Sequence, residues 1–267
     1  MKRILVFVII FSLLLSSCGY TVETVSNNMI EDVRKTLRKE FGTGAGVRIA
    51  VIDSGISVDK QDSEYALDFS EEESVIDVID HGVPIANIIS NQEYGLAPEA
   101  TVYSLKVINE YRNASTQSVY NALEWCLNNS IDIINMSLSF GIYSENIECI
   151  IDELVQQGVI IVASISNVDK EVDYPSMYEG VICVGRTNSL HLYDKDESII
   201  FHKDYLVRSL GISGEDKDYA GNSFLAPVVT GIIACLIDKT NMEGSVSNAE
   251  LIRAIKLILS TSNIQTV

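Results

Sequence analysis

From residue 47 onward the chain alternates between two hydrophobic rhythms. Short β-branched runs, apolar almost throughout, occur at 47–52, 101–107, 131–136, 158–163 and 181–185. Between them lie longer stretches whose apolar positions recur at helical spacing, as at 117–128 and 146–157. Continuous apolar strands separated by helices of ten to fifteen residues predict a parallel sheet covered on both faces. Near the C-terminus, 223–239 reads as a buried helix. Residues 248–259 read as an amphipathic helix with Ser247 or Asn248 as its cap. No internal repeat or low-complexity tract interrupts this order, and with four prolines there is no Pro-rich linker. The fold class is therefore α/β, with one folded unit over 47–262.

Residues 19–46 are polar and end in the glycine-rich joint Gly42-Thr43-Gly44-Ala45-Gly46. Room exists there for one short helix and a tether, but not for an independent domain. The glycines precede the first strand, whereas a dinucleotide fingerprint must follow it, so that reading fails. Before this segment, Met1-Lys2-Arg3 precedes an apolar and small-residue run over 4–17 that ends at Cys18. A positive start followed by an apolar run of about twelve residues reads as a secretory signal, too short for a membrane span.

Composition narrows the partners. Thirty-seven acidic against nineteen basic residues give a formal charge of −18. Nucleic acid is an unsuitable partner for such a chain, because phosphate binding needs clustered Lys and Arg. The acidity serves solubility or the steering of cationic substrates. Apart from Cys18 there are four cysteines: Cys126, Cys149, Cys183 and Cys235. An even number in an exported chain permits disulfides, but Cys183 and Cys235 sit inside apolar runs, which favours buried thiols.

Three short segments carry candidate chemistry. In Arg48-Ile49-Ala50-Val51-Ile52-Asp53-Ser54-Gly55 an apolar strand delivers an Asp at its C-terminal end, where open α/β sheets gather functional groups. Taken alone, this Asp could equally be a helix cap or a metal ligand. In Asp80-His81-Gly82-Val83-Pro84-Ile85-Ala86-Asn87, a histidine opens an apolar helical run. The chain's other histidines, His191 and His202, lie in a charged stretch. In Gly221-Asn222-Ser223-Phe224-Leu225-Ala226-Pro227, a serine enters a helix directly, with Pro227 expected in the first turn, where a missing amide costs little. A serine oxygen there is flanked by unpaired amides, although a plain N-cap would also fit.

Taken together, these segments resemble the motifs of the subtilisin-like (subtilase) serine proteases, in the order Asp, His, Ser. Tyr94-Gly95-Leu96-Ala97-Pro98, Ile131 to Leu138, and Tyr174-Pro175-Ser176 fall at further family positions. The resemblance covers about residues 46–260. It implies a three-layer subtilisin-like fold and a serine endopeptidase with the triad Asp53, His81 and Ser223. It also implies Asn167, after the apolar run 158–163, as the oxyanion donor. Substrate would lie extended between residues 137–141 and the segment 112–115, with Ser137, Leu138, Ser139, Phe140, Ser166 and Asn113 as its contacts. The run into Cys18 resembles a bacterial lipobox. This implies a signal peptide at 1–17, lipidation of Cys18, a tether over 18–46 and an exported protein held at the outer face of the membrane.

Departures from the family pattern cluster near the expected pocket. Val83 and Asn87 stand in the His segment, Ser166 precedes Asn167, and Ser139 and Phe140 replace a glycine-rich stretch. Bulkier walls imply selective cleavage. No cofactor is expected and no calcium loop is recognisable. The partner expected is a peptide or protein substrate, for instance the leader of a bacteriocin-type precursor, cut by a monomer. The alternative is a catalytically silent relative that binds a peptide.

Overall fold

The computed structural model describes residues 29–60, 63–167, 173–187, 198–202, 205–238 and 247–266; the expected signal peptide, Cys18 and His191 lie outside them. Seven parallel strands form one sheet: β1 (Arg48–Asp53), β2 (Ala66–Asp68), β3 (Thr101–Lys106), β4 (Ile133–Met136), β5 (Ile160–Ser164), β6 (Val181–Arg186) and β7 (Ser198–Phe201). Their spatial order is β2-β3-β1-β4-β5-β6-β7. The central strands follow the five apolar runs to within two residues at either end. An antiparallel hairpin of β8 (Val207–Leu210) and β9 (Asp216–Tyr219) stands apart from the sheet.

Both faces of the sheet are covered, which is why its strands are continuously apolar. The two-residue pleat sends alternate side chains to opposite cores. Ile49 and Val51 of β1 enter one core, together with Ile133, Val162 and Ile182. Ala50 and Ile52 enter the other with Leu105, Ile134 and Ile161. The first core is closed by α2 (Gly82–Ser90), α5 (Asn222–Leu236) and α6 (Asn248–Thr261). The second lies under α3 (Thr116–Asn128) and α4 (Glu145–Gln156). Ser247 caps α6 in a full capping box with Glu250, which resolves the choice of cap.

Two features modify the expected organisation. The short helix allowed in 19–46 is α1 (Met29–Glu40), and its stripe of Met29, Ile30, Val33 and Leu37 is buried in the first core. Spacing of three to four residues puts those four on one face, so this polar-looking segment packs as part of the body. The glycine-rich joint after it forms a cradle of amides filled by the chain's own carboxylate. Asp238 Oδ2 accepts from Thr43 N at 2.8 Å and from Gly44 N and Ala45 N, each at 3.0 Å. Asp238 is buried and sits just past the end of α5, so it staples that helix to the entry of β1.

Of the four cysteines of the body, Cys126, Cys183 and Cys235 are buried as expected, while Cys149 lies at the surface. Among the described residues no helix is long and apolar enough to cross a membrane.

Candidate active site

Going out from β1, the chain's next strands lie to one side (β3, then β2) and the later ones to the other (β4 to β7). The reversal opens a crevice at the carboxyl end of β1, where α/β sheets place their functional groups. Asp53 is the last residue of β1 and is 1% exposed. Its Oδ1 accepts from Ser54 N at 2.8 Å and meets His81 Nδ1 at 2.7 Å. The short, buried contact fixes the imidazole ring and directs Nε2 away from the carboxylate.

Why His81 arrives there follows from the turn before α2. Asp77, 2% exposed, gathers five donors. Its Oδ1 accepts from Ser54 Oγ and Ile79 N, both at 3.0 Å, and from Asp80 N at 3.1 Å. Its Oδ2 accepts from His81 N and Val83 N, both at 3.0 Å. Gly82 N donates to Ser54 Oγ at 2.8 Å, tying the histidine turn to the residue after Asp53. A side chain at Gly82 would not fit, because its Cβ would stand 2.7 Å from the Gly55 carbonyl oxygen. Lys106, 1% exposed, braces the approach to Asp77 through Ile76 O at 2.7 Å and Glu72 Oε2 at 2.9 Å. Asp80, with φ of 58°, accepts from Ile212 N at 2.8 Å, Lys217 Nζ at 2.9 Å and Tyr219 Oη at 3.1 Å. It thereby clamps the β8–β9 hairpin against the histidine turn. Asn87 supports the same docking, donating to Leu210 O at 3.1 Å.

The electrostatics of His81 are a contest. Burial pushes its pKa down, but the charge and hydrogen bond of Asp53 and the charge of Asp77 outweigh it. Arg112 pulls slightly the other way, and the imidazole is held above its ordinary value. Removing a negative charge must therefore lower it. Asp77→Asn is expected to shift the His81 titration, followed by imidazole proton NMR, to lower pH. An unmoved or higher midpoint would contradict this account.

Ser223 is the second residue of α5. The helix is entered through Gly221 at φ 112°, a left-handed backbone suited to glycine, and a Cβ there would lie 3.0 Å from Asn167 Oδ1. Asn167 caps the entry from outside, its Oδ1 accepting from Asn222 N at 2.9 Å. Asn222 Nδ2 in turn donates to Ser166 O at 2.9 Å. Phe224 packs edge-on against the His81 ring, with centroids 5.4 Å apart. Thus Asp53, His81, the Ser223 turn and Asn167 gather at one end of the sheet from four separate segments.

The expected substrate contacts fare unevenly. Ser137 is 2% exposed and its hydroxyl donates to Ser223 O at 2.8 Å, so its side chain is engaged within the protein. Leu138 is buried at 9% exposure. Phe140 exchanges both backbone hydrogen bonds with Tyr174, at 2.7 and 2.9 Å, so its backbone cannot pair with an added strand as expected. Ser139 is half-buried. Ser166 presents its amide to the Asp173 carboxylate. Asn113 is exposed, in a loop closed by Asn109 Oδ1 and tied to the histidine turn by Arg112, which donates to Ile79 O at 3.0 Å. Pro227 lies six residues into α5, inside the helix and beyond its first turn. Asp77, Asp80 and Lys106 were not singled out from sequence. Asp77 and Asp80 flank His81 by four residues and one, but nothing local marks which of many acidic residues turns inward.

Among known proteins, the model of the subtilase family matches residues 44–215, a span holding Asp53, His81 and Asn167 and ending shortly before Ser223. Over 222 residues the chain is 29% identical to Subtilisin NAT of Bacillus subtilis subsp. natto, covering 76% of this chain and 58% of that protein. A subtilisin of Bacillus pumilus is also 29% identical over 222 residues, covering 76% of this chain and 81% of its own length. The minor extracellular protease Epr of Bacillus subtilis (strain 168) is 35% identical over 156 residues, 55% of this chain and 24% of the relative. The chain therefore spans little more than half of Subtilisin NAT. The crystal structure of a cold adapted subtilisin-like serine proteinase superimposes with a TM-score of 0.65 at 23% identity, covering 79% of this chain and 81% of that one, which supports the fold. With the parallel sheet, the crevice at β1 and the matched span in agreement, the chain belongs to the subtilase family.

Proposed function

We propose that the protein is a serine endopeptidase in which Ser223 is the nucleophile, His81 the general base and acid, and Asp53 the group that orients and stabilises the imidazolium. The observation that carries this reading is the buried 2.7 Å Asp53–His81 contact, set beside a helix whose second residue is Ser223. Ser223 Oγ attacks the scissile carbonyl carbon as His81 Nε2 takes its proton, forming a tetrahedral oxyanion. Collapse breaks the C–N bond, and the same proton passes from Nε2 to the leaving amine. Water then attacks the acyl ester with the same base, releasing the carboxylic acid and restoring Ser223. The Asn167 amide nitrogen and Ser223 N–H are the oxyanion donors. Asn167 suits this role because its oxygen is occupied by Asn222 N, which leaves its nitrogen for the substrate.

The finer reading is a selective processing enzyme acting outside the cell. Its support lies in the sequence: the apolar run into Cys18, which would be the lipid anchor, and Ser139, Phe140 and Ser166, the bulkier residues expected to narrow the pocket. That Epr is a minor extracellular protease agrees with export. Its substrates would be exported peptides or proteins, such as a precursor cut from its leader.

A fluorophosphonate probe tests the core of this reading. The purified protein is expected to take up one probe molecule, located by mass spectrometry on the peptide containing Ser223. Ser223→Ala should take up none. An unlabelled wild-type protein, or label on another residue, would defeat the assignment.

A further inference from the structure

Pro227 has no amide hydrogen, so the carbonyl four residues earlier in α5, that of Ser223, lacks the regular helical donor. That carbonyl is satisfied from another element. Ser137, just past the end of β4, donates its hydroxyl to Ser223 O at 2.8 Å across 86 residues of sequence. The Ser137 oxygen accepts from Asn135 Nδ2 at 3.0 Å, and Asn135 Oδ1 accepts from Thr230 Oγ1 at 2.9 Å, back on α5. Exposure is 2% for Ser137 and 0% for both Asn135 and Thr230, so water does not compete. A hydroxyl has one proton to give, and with the Asn135 amide donating to Ser137 Oγ, that proton is committed to the Ser223 carbonyl.

The bonded peptide is the one joining Ser223 to Phe224. Its N–H is held by Gly221 O at 3.0 Å and its C=O by Ser137, so the plane is pinned on both sides. This plane sets ψ of the nucleophile, and on its far side is the Phe224 ring that packs on His81. We infer that Ser137 is a positioning residue. Its hydroxyl replaces the helical hydrogen bond that Pro227 removes, and so fixes the direction in which Ser223 Oγ leaves the backbone toward His81. This role rests on Ser223 being the nucleophile, and it separates Ser137 from the residues that contact substrate.

The test uses a rescue available only to a residue acting through the Ser223 carbonyl. In Ser137→Ala the carbonyl loses its donor. In Ser137→Ala/Pro227→Ala, residue 227 regains an amide that can bond the same carbonyl from within the helix. Wild type, Pro227→Ala, Ser137→Ala and the double variant are compared by kcat and KM on a cleaved peptide, by fluorophosphonate labelling rate, and by Tm. Assays are run well below every Tm. Ser137→Ala is expected to lower kcat and the labelling rate about tenfold, the scale of one hydrogen bond, with KM nearly constant. The double variant is expected to recover most of that loss. Should Ser137→Ala not fold, Ser137→Cys keeps a weak donor in place and should show a smaller deficit of the same kind. An unchanged kcat, a change confined to KM, or a deficit that Pro227→Ala does not relieve overturns the inference while leaving Ser223 as nucleophile. Absence of Ser223-dependent labelling in the wild type overturns both.

Discussion

Replacing His81 by Ala is expected to lower kcat by about 10⁶-fold on any peptide the enzyme cleaves, a magnitude taken from subtilisin itself. The physical reason is that Ser223 Oγ is a weak nucleophile while it keeps its proton, and in the proposed triad His81 is the base that removes it. The Asp53–His81 contact of 2.7 Å leaves the imidazole one ring nitrogen for this work. Nucleophile and base act as a unit, so His81→Ala combined with Ser223→Ala should be scarcely slower than either alone. Initial rates at enzyme concentrations high enough to see residual turnover decide the matter. Retention of more than about 1% of the wild-type rate, against the 10⁶-fold loss expected, would mean that another base serves Ser223.

The second large effect belongs to Asp53. Asp53→Asn should reduce kcat by about 10⁴-fold, the scale seen when triad aspartates are replaced elsewhere, subtilisin among them. In this chain the substitution is awkward in either orientation. The Oδ1 position accepts from both Ser54 N and His81 Nδ1, so an amide nitrogen placed there opposes the Ser54 donor and reverses the imidazole tautomer. The Oδ2 position is buried with no hydrogen-bond partner, so an amide nitrogen placed there becomes an unsatisfied donor. Either way the carboxylate charge that stabilises the imidazolium is lost. The sign of the pH effect follows. Asp53 raises the His81 pKa by its charge and its hydrogen bond, so the rising limb of kcat/KM against pH should move to lower pH in the variant. A limb that stays in place would show that Asp53 does not govern His81 in the free enzyme.

The pH behaviour bears on how Asp77 is understood. It lies one shell out from the ring, yet it satisfies the His81 and Val83 amides and adds charge that raises the His81 pKa. Position and electrostatics are therefore supplied by one buried side chain. Asp80, immediately before the histidine, instead ties the β8–β9 hairpin to the site through Lys217 and Tyr219. The hairpin is thus anchored at the residue adjoining His81, and Tyr219 packs on Phe224 with centroids 4.8 Å apart.

How much of this was legible in the residues depends on the range over which each feature is encoded. The sheet strands are written in contiguous apolar runs, because a strand buried on both faces needs no partner's sequence to declare itself. Asp53, His81, Ser223 and Asn167 stand in short local motifs for a similar reason. Each must sit at an element end with a particular neighbour, such as the Gly82 that clears the Gly55 backbone and the Gly221 that turns into α5. The cap of α6 was readable only as Ser247 or Asn248, and the capping box with Glu250 settles it on Ser247.

Tertiary structure alone decided the pairings that cross the fold. Ser137 looked like a pocket wall in its motif, yet its hydroxyl serves a carbonyl 86 residues away because Pro227 withholds the helical donor. Asp238 fills amides 193 to 195 residues distant, and nothing near it in the chain marks it as more than one acid among thirty-seven. The polar segment carrying α1 reads as a tether until the packed core receives its Met29, Ile30, Val33 and Leu37. Burial on two faces, capping and tight turns are properties of neighbours and survive in the one-dimensional pattern. The choice of which carboxylate or hydroxyl turns inward depends on which unpaired backbone group the fold brings to meet it, and that is set in three dimensions.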